Sequence, residues 1–240
     1  MDNIYRTIHR YGESEIVINK SRFIGYAMPI ESEQDALNFI EEIKTKHRDA
    51  THNVYAYVYG EDSNIQRFSD DGEPSGTAGI PALEVMKKED LRNVVVVVTR
   101  YFGGIKLGTG GLIRAYTKGA KIGLESGIII EKVLHHKLKI RIDYTLYGMI
   151  ENYLMTKGYI VNDVIYDDAV NLYVYIKFSE VDSFKKTIID LTSANAIIEY
   201  EGEEHLSMKD GKIIKWFHLN YIDQKIINLL FFDQFIYSYK

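Results

Sequence analysis

The densest chemistry in this 240-residue sequence runs from Arg100 to Arg114: Arg-Tyr-Phe-Gly-Gly-Ile-Lys-Leu-Gly-Thr-Gly-Gly-Leu-Ile-Arg. Glycines let a ligand approach the backbone, and free N–H groups at a helix start attract anions. Between residues 99 and 124 stand five cations, Arg100, Lys106, Arg114, Lys118 and Lys121, and no acid. Arg114, Lys118 and Lys121 share one stripe at helical spacing. With a helix expected over 112–125, Arg114 falls in its first turn, where a cation opposes the helix dipole by roughly 0.3–1 kcal/mol and a bound anion would relieve the conflict. The candidate anion or RNA site is therefore Arg100, Tyr101, Phe102, Gly103, Gly104, Lys106, Gly108, Gly110, Gly111, Arg114 and Lys118. A tight turn beside an ordinary solvated basic face is the competing reading. Nucleotide fingerprints fit poorly: the stretch starting at Gly108 lacks the last glycine of GxGxxG, and Lys106 is not at the Walker lysine position.

A second stretch, Phe68-Ser-Asp-Asp-Gly-Glu-Pro-Ser-Gly-Thr-Ala-Gly79, is acidic. Asp70, Asp71 and Glu73 could hold Mg²⁺ or could neutralise Arg100, Lys106 and Arg114 across a groove. Internal pairing is preferred, because a dedicated Mg²⁺ site usually relies on substrate phosphates as well. Ser75 is out of register for a nucleophile elbow. His135 and His136 are adjacent on an expected strand, so they point to opposite faces. His52, beside the acidic loop, is an accessory candidate whose plainer role is a hydrogen-bonded histidine at a strand end. Tyr55, Tyr57 and Tyr59 alternate onto one face, as either a base-stacking platform or a sheet cover. No catalytic residue, metal ligand set or cofactor is assigned.

These stretches need elements to position them. Residues 15–18 and 22–28 read as strands, and Ser32 caps a helix with Ala36, Leu37, Phe39, Ile40 and Ile43 at helical spacing. Residues 53–59 are a strand, 60–79 a long loop, and Pro81 opens a helix running to about residue 89. The valine run within 93–102 marks a strand covered on both faces. From residue 133 the periodicity reads strand, helix, strand, strand, helix, strand, ending near residue 200. That is the β-α-β-β-α-β order of ferredoxin-like domains. The expected organisation is an N-terminal domain over 1–130, a ferredoxin-like domain over 131–211 and an apolar tail over 212–240. The tail's Trp216, Phe217, Leu229, Leu230, Phe231 and Phe232 should dock on a domain or mediate self-association.

Composition sets the outer limits. Hydrophobic residues make up 46% and charged residues 26%, which excludes disorder and permits a sizeable core. With 29 basic and 34 acidic residues the chain is not an electrostatic trap for nucleic acid, so anion binding must be local. The absence of cysteine excludes a disulfide scaffold and thiolate metal sites and fits a reducing cytoplasm. No apolar stretch approaches the roughly 18 residues of a membrane span, so a soluble protein is expected.

The stretches Ser69-Asp-Asp-Gly-Glu-Pro-Ser-Gly-Thr-Ala-Gly79 and Val98-Thr-Arg-Tyr-Phe-Gly-Gly-Ile-Lys-Leu-Gly-Thr-Gly-Gly-Leu112 resemble the hallmark motifs of the IMPACT/YigZ family, with residues 52–57 matching a further one. The resemblance extends over roughly residues 5–205 and implies an α+β protein. Its N-terminal domain would share the fold of ribosomal protein S5 domain 2, and its ferredoxin-like domain would be similar to domain V of the translocase elongation factor. Eukaryotic members regulate translation through an additional N-terminal domain for which this sequence has no counterpart. The local cation cluster, together with the translation-factor-like pairing of domains that the resemblance implies, points to a non-enzymatic binding protein holding RNA phosphate or a ribosomal or translation-factor partner in a groove of the N-terminal domain. The alternative is a nucleotide- or phosphate-binding enzyme of the kinase-like branch of the same fold.

Overall fold

In the computed structural model, which describes residues 4–214, the elements follow in the order β1 (Ile4–Ile8), β2 (Gly12–Ile18), β3 (Ser21–Pro29), α1 (Glu33–Lys46), β4 (His52–Tyr59), β5 (Ile65–Ser69), α2 (Gly79–Lys88), β6 (Val94–Tyr101), α3 (Gly108–Ser126), β7 (Ile129–Ile142), α4 (Tyr144–Lys157), β8 (Ile160–Tyr166), β9 (Val170–Lys177), α5 (Val181–Leu191), β10 (Ile197–Lys209) and β11 (Lys212–Ile213). The fold class is α+β, and the strand pairings given in register are antiparallel. Two compact units divide the chain, with Arg6–Glu131 the body of one and Lys132–Leu206 the body of the other.

The N-terminal unit is organised by β6. Its sheet runs β2-β3-β6-β4-β5, so β6 is paired on both edges. Alternation sends Val95 and Val97 to one face, where they pack with Phe39, Ile40 and Ile43 of α1. Val94, Val96 and Val98 go to the other face, against Ala82 and Met86 of α2 and Leu112, Tyr116 and Ala120 of α3. Two covered faces explain why the run is apolar without a break. The tyrosines of β4 are a sheet cover: Tyr57 is buried, and half-buried Tyr55 and Tyr59 pack on the α1 side.

The start of α1 is fixed by Ser32, whose Oγ accepts from the Asp35 N–H at 3.1 Å. Acids in the first turn and lysines in the last complement its dipole. Leu37, expected on the apolar stripe, is 45% exposed, while Ala36, Phe39, Ile40 and Ile43 are buried. On the opposite face α3 lies almost backbone to backbone on β3. A Cβ at Gly25 would stand 2.0 Å from the Gly119 carbonyl oxygen, and one at Gly123 would stand 2.8 Å from the Gly25 carbonyl carbon.

Two differences from the sequence reading bear on the site, and β10 also runs on to Lys209, beyond the expected end near residue 200. The 60–79 loop contains β5, an edge strand paired with β4 from Tyr59↔Ile65 to Tyr55↔Ser69. Its short, mostly polar sequence becomes a strand through that long-range pairing. Helix α3 begins at Gly108, not at 112, so Gly108, Gly110 and Gly111 form its first turn and Arg114 lies in the second. Glycine disfavours helix locally, but the packing of Leu112, Ala115 and Tyr116 on the sheet outweighs that preference.

In the C-terminal unit, the strand order β10-β7-β9-β8 with α4 and α5 as the crossovers gives the ferredoxin-like arrangement. Its core joins Leu138, Ile140 and Ile142 of β7 to Leu172, Val174 and Ile176 of β9, under Ile150 and Leu154 of α4 and Phe184 and Ile188 of α5. Of the tail, β11 pairs with the end of β10 through Met208↔Ile213. The rest of the expected apolar tail lies outside the described residues.

Candidate functional site

The C-terminal end of β6 points alternate side chains into two polar clusters. Arg100 continues the Val94, Val96, Val98 face and enters the side covered by α3, where the loop 70–78 folds against it. Its Nη1 donates to Glu73 Oε1 at 2.5 Å, and the Tyr116 hydroxyl of α3 donates to the same oxygen at 2.7 Å. Arg100 is only 5% exposed and Glu73 8%. Burial, with the Glu73 carboxylate beside it, pushes the Tyr116 phenol well above its ordinary value. His52, paired in register with Arg100, joins this cluster. Its Nδ1–H donates to the Asp71 carbonyl at 2.7 Å, and its Nε2 lies 3.7 Å from Glu73 Oε1.

Of the expected acidic trio, only Glu73 reaches a cation of the 100–114 stretch. Asp70 instead accepts three backbone N–H bonds, from Gly76 (2.8 Å), Ala78 (3.1 Å) and Gly79 (2.8 Å). It thereby caps the start of α2, whose own N-cap residue, Ala78, has no side-chain acceptor. Asp71 accepts from the Asn53 N–H at 2.6 Å and lies 3.5 Å from Lys44 Nζ. The acidic loop is thus a brace for the site's floor, with carboxylates matched to nearby donors before they can face an open groove.

Tyr101 points to the opposite face of the sheet from Arg100, so it too leaves the expected anion site. It belongs with His47, a residue the sequence reading did not single out. His47 is 7% exposed at the end of α1. Its Nε2 lies 2.6 Å from the Tyr26 hydroxyl and its Nδ1 2.8 Å from the Tyr101 hydroxyl, which donates to Asp49 at 3.2 Å. Since Tyr101 gives its proton to Asp49, it accepts from His47 Nδ1–H, and Nε2 accepts from Tyr26. Burial first, and then the neighbouring Lys46 charge, hold the His47 imidazolium below its ordinary range. Burial likewise raises the Tyr26 phenol. His47 and Tyr116 share one faint signal in the sequence, a polar tip on an apolar helical stripe.

What remains on the surface is a rim from Phe102 to Lys118. Its backbone is pinned at the start: the Phe102 N–H donates to Thr51 Oγ1 at 2.9 Å and the Gly103 N–H to Ser21 Oγ at 3.1 Å. Gly103 must be glycine, because a Cβ there would meet the Lys20 backbone at 2.0 Å. Gly104 and Gly108 have φ of 84° and 68° and face open space. Helix α3 then starts without a side-chain cap. Lys106, Arg114 and Lys118 are exposed and, among the described residues, make no ion pair; Lys121 lies 3.7 Å from Glu125. Arg114 folds back along the helix, its Nη1 3.5 Å from where a Cβ of Gly110 would stand. The structure therefore keeps Phe102, Gly103, Gly104, Lys106, Gly108, Gly110, Gly111, Arg114 and Lys118 on one continuous segment and withdraws Arg100 and Tyr101 beneath it.

Residues 19–124, which hold both clusters and the rim, match the Impact N-terminal domain, and residues 140–195 match a domain of unknown function, DUF1949. The IMPACT family member YvyE of Bacillus subtilis is 46% identical over 199 residues, covering 83% of this chain and 91% of YvyE. The chain belongs to the IMPACT family. Another IMPACT family member, YigZ of Escherichia coli, is 35% identical over 178 residues, covering 73% of this chain and 87% of its own length. A crystal structure described as that of a hypothetical protein matches with a TM-score of 0.53 at 30% identity, covering 82% of this IMPACT protein and 97% of that chain. The pinned loop, the helix start and the Glu73–Arg100 pair all lie within the part matched as the Impact N-terminal domain.

Proposed function

We propose that this IMPACT protein is a translation-associated binding protein without catalytic activity, which holds RNA phosphate along the rim from Phe102 to Lys118. The observation that carries the reading is that Lys106, Arg114 and Lys118, around an uncapped helix start, make no ion pair among the described residues. A cation folded toward a helix N-terminus is unfavourable by about 0.3–1 kcal/mol, and a phosphate seated among these groups reverses the sign of both interactions. The link to translation is supported by family membership. A ribosomal RNA surface or a ribonucleoprotein is the partner this chemistry fits.

The test is polyanion binding across a salt series, with co-sedimentation with ribosomes at low and high salt beside it. Each phosphate contact contributes about 0.7 to the log–log salt slope for a single strand, so K106E/R114E should weaken binding and flatten the slope by about 1.4. An unchanged slope in that variant, or no salt-dependent binding by the wild type, overturns the reading.

A further inference from the structure

We infer that the rim selects single-stranded RNA over duplex, with Phe102 as the platform on which an unpaired base stacks; this rests on the phosphate-binding reading above. Phe102 is 47% exposed although it follows directly on β6, whose residues 94–100 are buried. A large aromatic ring open to water, four residues before Lys106 on the same rim, suits a ligand with both a flat apolar face and negative charge. An unpaired nucleotide has both. A duplex offers its phosphates but keeps its bases stacked inside, out of reach of a side chain on the surface.

The ring is also held ready. Its own N–H is fixed by Thr51 Oγ1 and the next N–H by Ser21 Oγ, at 2.9 and 3.1 Å. The Arg100 guanidinium lies over the ring at 5.5 Å, and over Phe23 at the same distance, while Glu73 holds Arg100 from below. One buried ion pair therefore backs the platform, and Arg100 Nε has no acceptor among the described residues, so its role there is that of a flat support. Lys20, an exposed cation, has its backbone against Gly103, the residue that follows Phe102.

Four fluorescently tagged probes separate the possibilities: an oligouridylate of about 12 nucleotides, an abasic strand of the same length, a duplex RNA and polyglutamate. The wild type should bind oligouridylate about 5- to 150-fold tighter than the abasic strand, the range for one base–aromatic stack. F102A should erase that preference without altering the salt slope, since no cation is removed, and F102W should restore it. A thermal melt confirms that each variant is folded. The inference is overturned if F102A binds oligouridylate as the wild type does, if the abasic strand or duplex binds equally well, or if polyglutamate shows the same dependence on Phe102. In those cases the phosphate reading survives provided K106E/R114E still lowers binding. If K106E/R114E leaves every polyanion unaffected, that reading fails and the inference falls with it.

Discussion

Removing the Glu73 carboxylate while leaving Arg100 in place should destabilise the N-terminal unit more than any single change on the rim. In the E73A variant the Arg100 guanidinium, 5% exposed, loses its 2.5 Å partner, and the Tyr116 hydroxyl loses its 2.7 Å acceptor. Deleting one member of a buried pair costs about 3–5 kcal/mol, because the other charge stays buried and uncompensated. With a urea m-value of about 2 kcal/mol/M, the midpoint should fall by roughly 1.5–2.5 M. Followed by amide exchange in β6 and α3 during a urea titration, the loss should be assigned to this unit, since two units need not unfold together. The control is E73L/R100M, which removes both charges and keeps apolar volume; it should recover most of the loss, because the penalty comes from the orphaned charge and not from the missing attraction. A fall of less than about 0.5 M in E73A, or a double variant no better than the single, would refute this account.

Two further outcomes follow from the neighbouring clusters. His47 has its folded-state pKa depressed, so its contribution to stability is complete above the unfolded value of about 6.5 and is lost as pH falls through the folded value. H47Q should flatten the pH dependence of β3 and β4 amide protection below the unfolded value of about 6.5; an unchanged profile removes His47 as its source. D70A leaves the three N–H groups of Gly76, Ala78 and Gly79 without their acceptor. A lost cap costs about 0.5–2 kcal/mol, so the melting temperature should drop by a few degrees and exchange at those amides should rise, with D70N showing a smaller effect.

The features legible in the sequence are those written in a single element. The valines of β6 announce a strand covered twice, and Ser32 with its following apolar spacing announces α1, because each signal is local and repeated. The six-element rhythm of the C-terminal unit is legible for the same reason. What escaped is set by partners distant in the chain. Ile65–Ser69 is a strand only because β4 lies beside it. Gly108–Gly111 is helical only because the residues after it pack on the sheet. The function of Asp70 is hidden because its acceptors serve backbone N–H groups, which leave no trace in residue types. The candidate site was legible as a stretch, while the division of its cations was not: strand alternation turns Arg100 inward and Tyr101 to the other face, leaving Lys106, Arg114 and Lys118 outside.

The close seat of α3 on β3, glycine against glycine, has a consequence for how the rim would discriminate among ligands. Its two halves belong to different elements, Phe102 and Gly103 to the exit of β6 and Gly108–Arg114 to the entrance of α3. A helix resting on side chains can slide as they change rotamer, but one resting on a strand's backbone has little compliance, and α3 meets Gly25 through Gly119 and Gly123. The gap between the halves then behaves as a caliper with a locked screw: it measures the spacing between base and phosphate without closing around them. Relaxation dispersion at the rim amides should be quiet in the free protein, and mismatched ligands should be rejected by faster dissociation with no slow closing step.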